Sequence, residues 1–219
     1  MYNKEKLIEQ YNEFNISGNK TEYRMGNDVL YKMCEAYPHH DDIDVIASKI
    51  WLIGRSYAAT IERGRKNTSN IQNDDFYYQK VAPAFLESKV LDRKLDELKA
   101  KAGDYIDHLE EVLSLHKTIL DICKSIDGLQ EVTKRSFASK YLHFHCPQKA
   151  LIYDSRAAES IRKIEKRIVP KDWTTKYDAE YADFCARVKN IADCIKGEDG
   201  QRPSPRQIDN FLLYYIEKH

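Results

Sequence analysis

Residues 136–156, SFASKYLHFHCPQKALIYDSR, decide the reading of this chain. Lys140 is followed by the apolar-rich run Tyr141-Leu142-His143-Phe144, the pattern of a helix entering a core. Pro147 ends that helix, because its ring removes a backbone donor and disfavours the helical region for Cys146. The tripeptide Leu151-Ile152-Tyr153 then delivers Asp154 as a helix cap, with Ser155 and Arg156 opening the next helix. A buried lysine facing a carboxylate at a helix N-terminus is equipment for Schiff-base or oxocarbenium chemistry.

Helical spacing continues on both sides of this stretch. Leu7, Ile8, Tyr11 and Phe14 mark a helix over Lys4–Phe14, and Tyr23, Val29, Leu30, Met33 and Cys34 mark another over Thr21–Tyr37. Asp42 or Asp44 caps a long helix through Val45, Ile46, Ile50, Ile53, Tyr57 and Ile61, with Gly64 at its end. Lys66 to Asn73 reads as a loop, and helices follow over Asp74–Phe85, Lys89–Lys101 and Tyr105–Ile126. Gly128 separates the last of these from the helix beginning near Ser136. The helix after Asp154 reaches Ile168 and stops at Pro170, and Asp178–Ile195 forms another. Ser204-Pro205 starts the final helix, with serine as cap and proline in the first turn. The spacing predicts an all-α chain of about nine or ten helices, with no alternation long enough for a sheet.

Composition narrows the class. A chain of 219 residues with 42% hydrophobic and 32% charged residues suits one large domain or two small ones sharing an interface. No run approaches the roughly 18–20 apolar residues that span a bilayer. The N-terminal MYNKEKLIEQYNEF lacks the apolar centre of a signal peptide, so a cytoplasmic protein without a membrane partner is expected. The five cysteines form no CxxC and read as buried thiols. His143 and His145 alternate on a helix and point in different directions, no HExxH occurs, and no Gly-rich phosphate loop is present; neither metal nor cofactor is expected. His39-His40-Asp41-Asp42 reads as a solvated loop. Net charge is zero, yet residues 131–171 hold ten basic side chains against four acidic ones, a distribution suited to phosphate.

From about Leu113 to Lys163 the chain resembles the helix-hairpin-helix DNA glycosylase superfamily, nearest its lysine-bearing, 8-oxoguanine-type branch and small bacterial relatives. In that family a lysine at the start of the hairpin's second helix, where Lys140 falls, attacks the sugar's anomeric carbon and forms an imine. The aspartate capping the next helix, where Asp154 falls, stabilises the positive charge that builds as the base departs. The resemblance implies a two-lobed helical unit over residues 1–219, with lobes near 1–103 and 104–219 flanking a cleft. It also implies a monomer on duplex DNA with one base flipped out; the four-cysteine iron–sulfur cluster of some members is not expected, because only Cys185 and Cys194 lie near the end. The family's hairpin glycines are missing from Lys134-Arg135-Ser136-Phe137-Ala138-Ser139. Phosphate contact is therefore expected from the side chains of Lys134, Arg135, Ser136, Ser139 and Arg156, with Arg156 also lowering the affinity of Lys140 for its proton.

A base pocket is expected from Trp51, Arg55, Tyr57 and Arg63 on one long helix, from His143, and from Arg206, Asp209 and Phe211 of the last helix. The base is either an 8-oxoguanine-type lesion or a hypermodified base of phage DNA, the latter making the protein antiviral. The competing expectation is a helical DNA-binding or partner module that keeps the fold without catalysis. A ribonuclease Arg-x4–6-His pair has Arg135 and His143 as nearest candidates, but seven residues lie between them.

Overall fold

The computed structural model describes residues 3–17, 24–66, 71–166 and 169–218. Among them the regular structure is helical and no strand occurs. In chain order the helices are α1 (Lys4–Ser17), α2 (Arg24–Ala36), α3 (Ile43–Ser56), α4 (Asn73–Phe76), α5 (Ala82–Glu87) and α6 (Lys89–Ala100). They continue with α7 (Leu109–Ser125), α8 (Arg135–His145), α9 (Ser155–Ile164), α10 (Trp173–Lys176), α11 (Ala179–Cys194) and α12 (Pro205–Lys218). A π-helical turn, Tyr77–Val81, joins α4 to α5 without a break, and a 3-10 turn, Tyr105–His108, leads into α7. Joined this way the described residues form eleven helices, ten of them seven residues or longer, so the all-α expectation holds. No described helix is long and apolar enough to cross a membrane.

Polar caps begin the helices that matter most for the site. Asp154 accepts from the Ala157 N–H at 2.9 Å, and Asp178 from that of Tyr181 at 2.9 Å. At α12, Ser204 and Gln207 cap each other. The Gln207 N–H donates to the serine hydroxyl at 3.3 Å, and the Ser204 N–H donates to Gln207 Oε1 at 2.8 Å.

Helix α8 occupies the centre, packed against α2, α3 and α7, and every residue from Phe137 to His145 is buried. Cover on all faces is the mark of a core helix rather than an amphipathic surface helix. Phe137, Tyr141 and His145 recur every fourth residue on one face, where Tyr141 meets Phe85 at 5.5 Å and His40 at 5.8 Å between ring centroids. Ser136, Lys140, His143 and Phe144 share the neighbouring face, and Phe144 meets Tyr31 at 4.9 Å and Tyr57 at 5.3 Å. Lys140 thus lies in the middle of its helix, not at its start.

Three sequence expectations need correction. Helix α3 stops at Ser56 rather than running through Ile61: Tyr57 forms the C-cap, Ala58 takes a φ of 49°, and the Ala59 N–H turns back to the Gly54 carbonyl at 2.8 Å. Arg63 is therefore not on the helix of Trp51 and Arg55. His40 is not solvated. It is buried between Asp92, whose Oδ1 is 2.5 Å from its Nδ1, and the Tyr141 hydroxyl, 2.7 Å from its Nε2. Helix α9 ends at Ile164 with Glu165 as C-cap, while Arg167 and Ile168, like Thr21 and Tyr23, lie outside the described residues. Helix α1 packs on α11 and α12, and buried apolar side chains of both halves form one cluster.

Burial of α8 has a consequence for acid stability. It holds His143 down to about 3 and His145 well below the ordinary imidazole range, and on α7 it holds His116 down to about 4. The folded protein keeps these three rings neutral, whereas an unfolded chain protonates them below roughly pH 6.5. Stability is therefore complete above that value and falls as the pH drops toward the folded values. Asp209, raised by burial to about 6, works in the opposite sense and offsets one proton. His40, also lowered by burial, adds to the uptake on unfolding, so two or more net protons predict a loss of about 3 kcal/mol or more per pH unit between roughly pH 6 and 5. Urea unfolding at pH 7, 6 and 5 measures the slope, and a flat profile would contradict the burial of these rings.

Candidate functional site

Lys140 is 3% exposed, and its amine donates to Ser136 Oγ at 2.9 Å and to the Tyr57 carbonyl at 3.4 Å. The same amine lies 5.7 Å from the centroid of the Tyr57 ring. Burial is the main reason its pKa is lowered; the carboxylates of Asp154 and Asp209 act against that, and the Arg206 guanidinium reinforces it. The expected helper Arg156 is not the cation concerned. Its side chain is exposed and pairs with Glu217 at 2.8 Å. A neutral amine that donates both hydrogens to Ser136 and Tyr57 keeps its lone pair for a carbon electrophile.

Asp154 acts on this amine through its charge, without a hydrogen bond to it, and the chain before Asp154 is tied to α8. The Tyr153 N–H donates to Ser139 Oγ at 3.0 Å, and that hydroxyl lies 3.2 Å from the Tyr153 carbonyl and 3.0 Å from the Ser136 carbonyl. Ser139 is completely buried and sits directly before Lys140 in α8, so the residue after Tyr153 is delivered to the lysine. One carboxylate oxygen of Asp154 is used in capping α9, which leaves Oδ2 for the site.

The wall opposite comes from α2, α12 and the end of α3. Arg206 donates from Nε and NH2 to the Tyr31 hydroxyl at 3.0 and 2.8 Å, and its guanidinium lies 5.6 to 5.7 Å from the rings of Tyr31, Tyr57 and Phe144. The proton positions follow from the partners. His143 Nδ1 is 2.8 Å from the Ala150 carbonyl, which only accepts, so Nδ1 carries the hydrogen. Nε2 is then an acceptor and takes the Tyr31 proton at 2.7 Å, leaving the Tyr31 oxygen to receive Arg206. Tyr57 donates its hydroxyl to Asn27. Asp209 Oδ2 lies 3.2 Å from Arg206 NH1, while its Oδ1 is buried without a hydrogen-bond partner.

Of the residues singled out from the sequence, Lys140, Asp154, Ser136, Tyr57, His143, Arg206 and Asp209 come together here. The others do not. Lys134 is buried and donates to the Arg63 carbonyl, Arg135 is bound to Asp178 and Glu180, and Ser139 is spent on Tyr153, so none of the three is presented to a phosphate. Trp51 lines a cleft of 460 Å³ with Ala47, Ser48, Leu52, Tyr77 and Tyr78, and Arg55 pairs with Glu62 at 2.6 Å. Phe211 is fully buried against Tyr11 and Phe14 of α1, in the packing of the terminal helices. The ribonuclease pair separates, with Arg135 on Asp178 and His143 on Tyr31. Tyr31 and Asn27 were not foreseen, because α2 offers ordinary helical spacing and no motif.

The loop between α7 and α8 also turns inward. Gly128 has a φ of 85°, and a Cβ there would sit 2.5 Å from the Lys66 carbonyl oxygen, while its own carbonyl receives the Lys66 N–H at 3.0 Å. The bare backbone is needed against the protein's own chain. Among the described residues no group of three or more metal-ligating side chains assembles. No protein-family model, curated protein or solved structure matches this chain.

Replacing Ser139 by alanine should cost about 1–3 kcal/mol, because the buried Tyr153 N–H is then left unsatisfied. Urea denaturation reads the loss directly. A change below about 0.5 kcal/mol would mean that the tie between Tyr153 and α8 is not needed to hold Asp154.

Proposed function

We propose that this protein is an N-glycosylase acting on DNA, with Lys140 as nucleophile and Asp154 as the carboxylate that stabilises the sugar's positive charge. The resemblance of residues 113–163 to the helix-hairpin-helix glycosylases supplies the reaction class. The observation that carries the reading is the placement of one buried lysine, with a lowered pKa, within the field of Asp154 and Asp209. A depressed amine is what imine formation at the anomeric carbon requires, and a nearby carboxylate favours the oxocarbenium-like transition state. Tyr31, Tyr57 and Phe144 with Arg206 are aromatic and cationic groups of the kind that grip an everted base. The amine is covered in this structure, so a nucleotide enters by parting its contact with the Tyr57 carbonyl, the longer of its two hydrogen bonds at 3.4 Å.

A second reading, a helical partner module without catalysis, draws support from the inward commitment of Lys134, Arg135 and Ser139. Borohydride trapping separates the two. On DNA carrying oxidised, deaminated, alkylated or phage-type modified bases, the glycosylase forms a covalent adduct that Lys140→Gln abolishes. Asp154→Asn slows base release by roughly 100-fold or more while DNA binding persists. Unchanged base release in Asp154→Asn defeats the assignment of that carboxylate. Absence of both adduct and release on every substrate, with binding retained, favours the partner module.

A further inference from the structure

The capping box of Ser204 and Gln207 sets the start of α12, and from it Arg206 and Asp209 project three residues apart. The Asp209 side chain is 5% exposed. Its two oxygens are unlike: Oδ2 is held by Arg206, and Oδ1 is buried with no donor. A buried carboxylate oxygen without a partner is costly, and either a proton or a ligand N–H relieves the cost. Lys140 and Arg206 stand 5.7 and 5.6 Å from the same Tyr57 ring, which brings the lysine and the Arg206–Asp209 pair into one enclosure.

The neighbouring groups are already engaged. His143 uses both ring nitrogens, the Tyr31 and Tyr57 hydroxyls are bonded, and Arg206 stays protonated, while Asp154, with one oxygen on the α9 cap, must keep its charge to stabilise the sugar in the proposed reaction. We propose that Asp209 is the proton carrier of the site, its Oδ1 taking the ammonium proton of Lys140 and passing it to the departing base. This inference rests on the glycosylase reading above. No hydrogen bond joins Lys140 Nζ to Asp209 Oδ1 in this structure; once an entering nucleotide parts the amine from the Tyr57 carbonyl, its proton moves to Oδ1, leaving a neutral amine and a carboxylic acid. The amine lone pair then forms the bond to the anomeric carbon as the glycosidic C–N bond breaks and the base leaves with that electron pair. The Asp209 proton finally neutralises the base, and Asp209 returns to its charged form beside a secondary ammonium on the sugar. Burial raises Asp209 to about 6, against the opposing influence of Arg206 and Lys140 and with the support of Asp154. A carrier that titrates near neutrality is suited to both halves of that transfer.

The test uses the protein alone first. Carbon-detected NMR follows the Asp209 carboxyl through a pH titration in the wild type and in Lys140→Met, with the resonance assigned by its loss in Asp209→Asn or Asp209→Glu. A midpoint near 6 is expected, moving up by about one pH unit when the lysine charge is removed. An ordinary carboxyl midpoint near 4, or one indifferent to Lys140→Met, overturns the proposal. This measurement stands whether or not a substrate is found. If the screen finds no base released by the wild type, the glycosylase reading fails, while the titration still reports whether Lys140 and Asp209 interact. With a substrate in hand, Asp209→Asn should slow single-turnover release by roughly 100-fold and erase the acid limb of the wild-type profile. Release at the wild-type rate and pH dependence in Asp209→Asn overturns the proposed transfer. Should that variant fail to fold, the titration comparison decides alone.

Discussion

The structure depends on a helix that is covered on every side yet carries a lysine. Helix α8 is held in place by aromatic packing along Phe137 and Tyr141, and by one buried serine that ties it to the next segment. The tie is small but directional. Ser139 both accepts from the Tyr153 N–H and lies against the Tyr153 carbonyl, so an otherwise irregular stretch is fixed in register with α8. The lysine that follows Ser139 and the aspartate that follows Tyr153 inherit that register. Packing, rather than any direct bond between the two, brings the amine and the acid into the same field.

Such an enclosure works only if its charges balance. Lys140 and Arg206 face Asp154 and Asp209, and the aromatic rings of Tyr31, Tyr57 and Phe144 lower the dielectric around them. Buried charges of this kind contribute little to net stability, because desolvation cancels most of their mutual attraction. What they gain is sensitivity, since each group's proton affinity depends on its neighbours. The hydrogen-bond chain from Arg206 through Tyr31 and His143 to Ala150 leaves the imidazole no free nitrogen. It orients the arginine and holds the His143 ring in one tautomer.

The basic segment tells a different story from its composition. Arg135, Arg156 and Lys163 are paired with carboxylates, and Lys134 and Lys149 donate to backbone carbonyls. The partners of Arg135 and Arg156 come from α11 and α12, 43 and 61 residues along the chain. Charge counted within a sequence window cannot see neutralisation supplied from outside it. The same blindness explains His40, whose polar surroundings in the sequence suggest solvent, but whose ring is closed in by α6 and α8 through Asp92 and Tyr141.

The residues themselves determined the helices, their caps and the two chemical groups most worth watching. Those features are local: a cap needs a side chain two or three residues from a free N–H, and a proline stops a helix wherever it stands. Asp154 and Ser204 were legible for that reason. Only the tertiary structure decided that Lys140 is buried, that Tyr31 and Asn27 belong to its surroundings, and that Phe211 and Trp51 do not. Burial and proton affinity depend on helices that meet from opposite ends of the chain, and helical spacing specifies a buried face without naming the face it will meet.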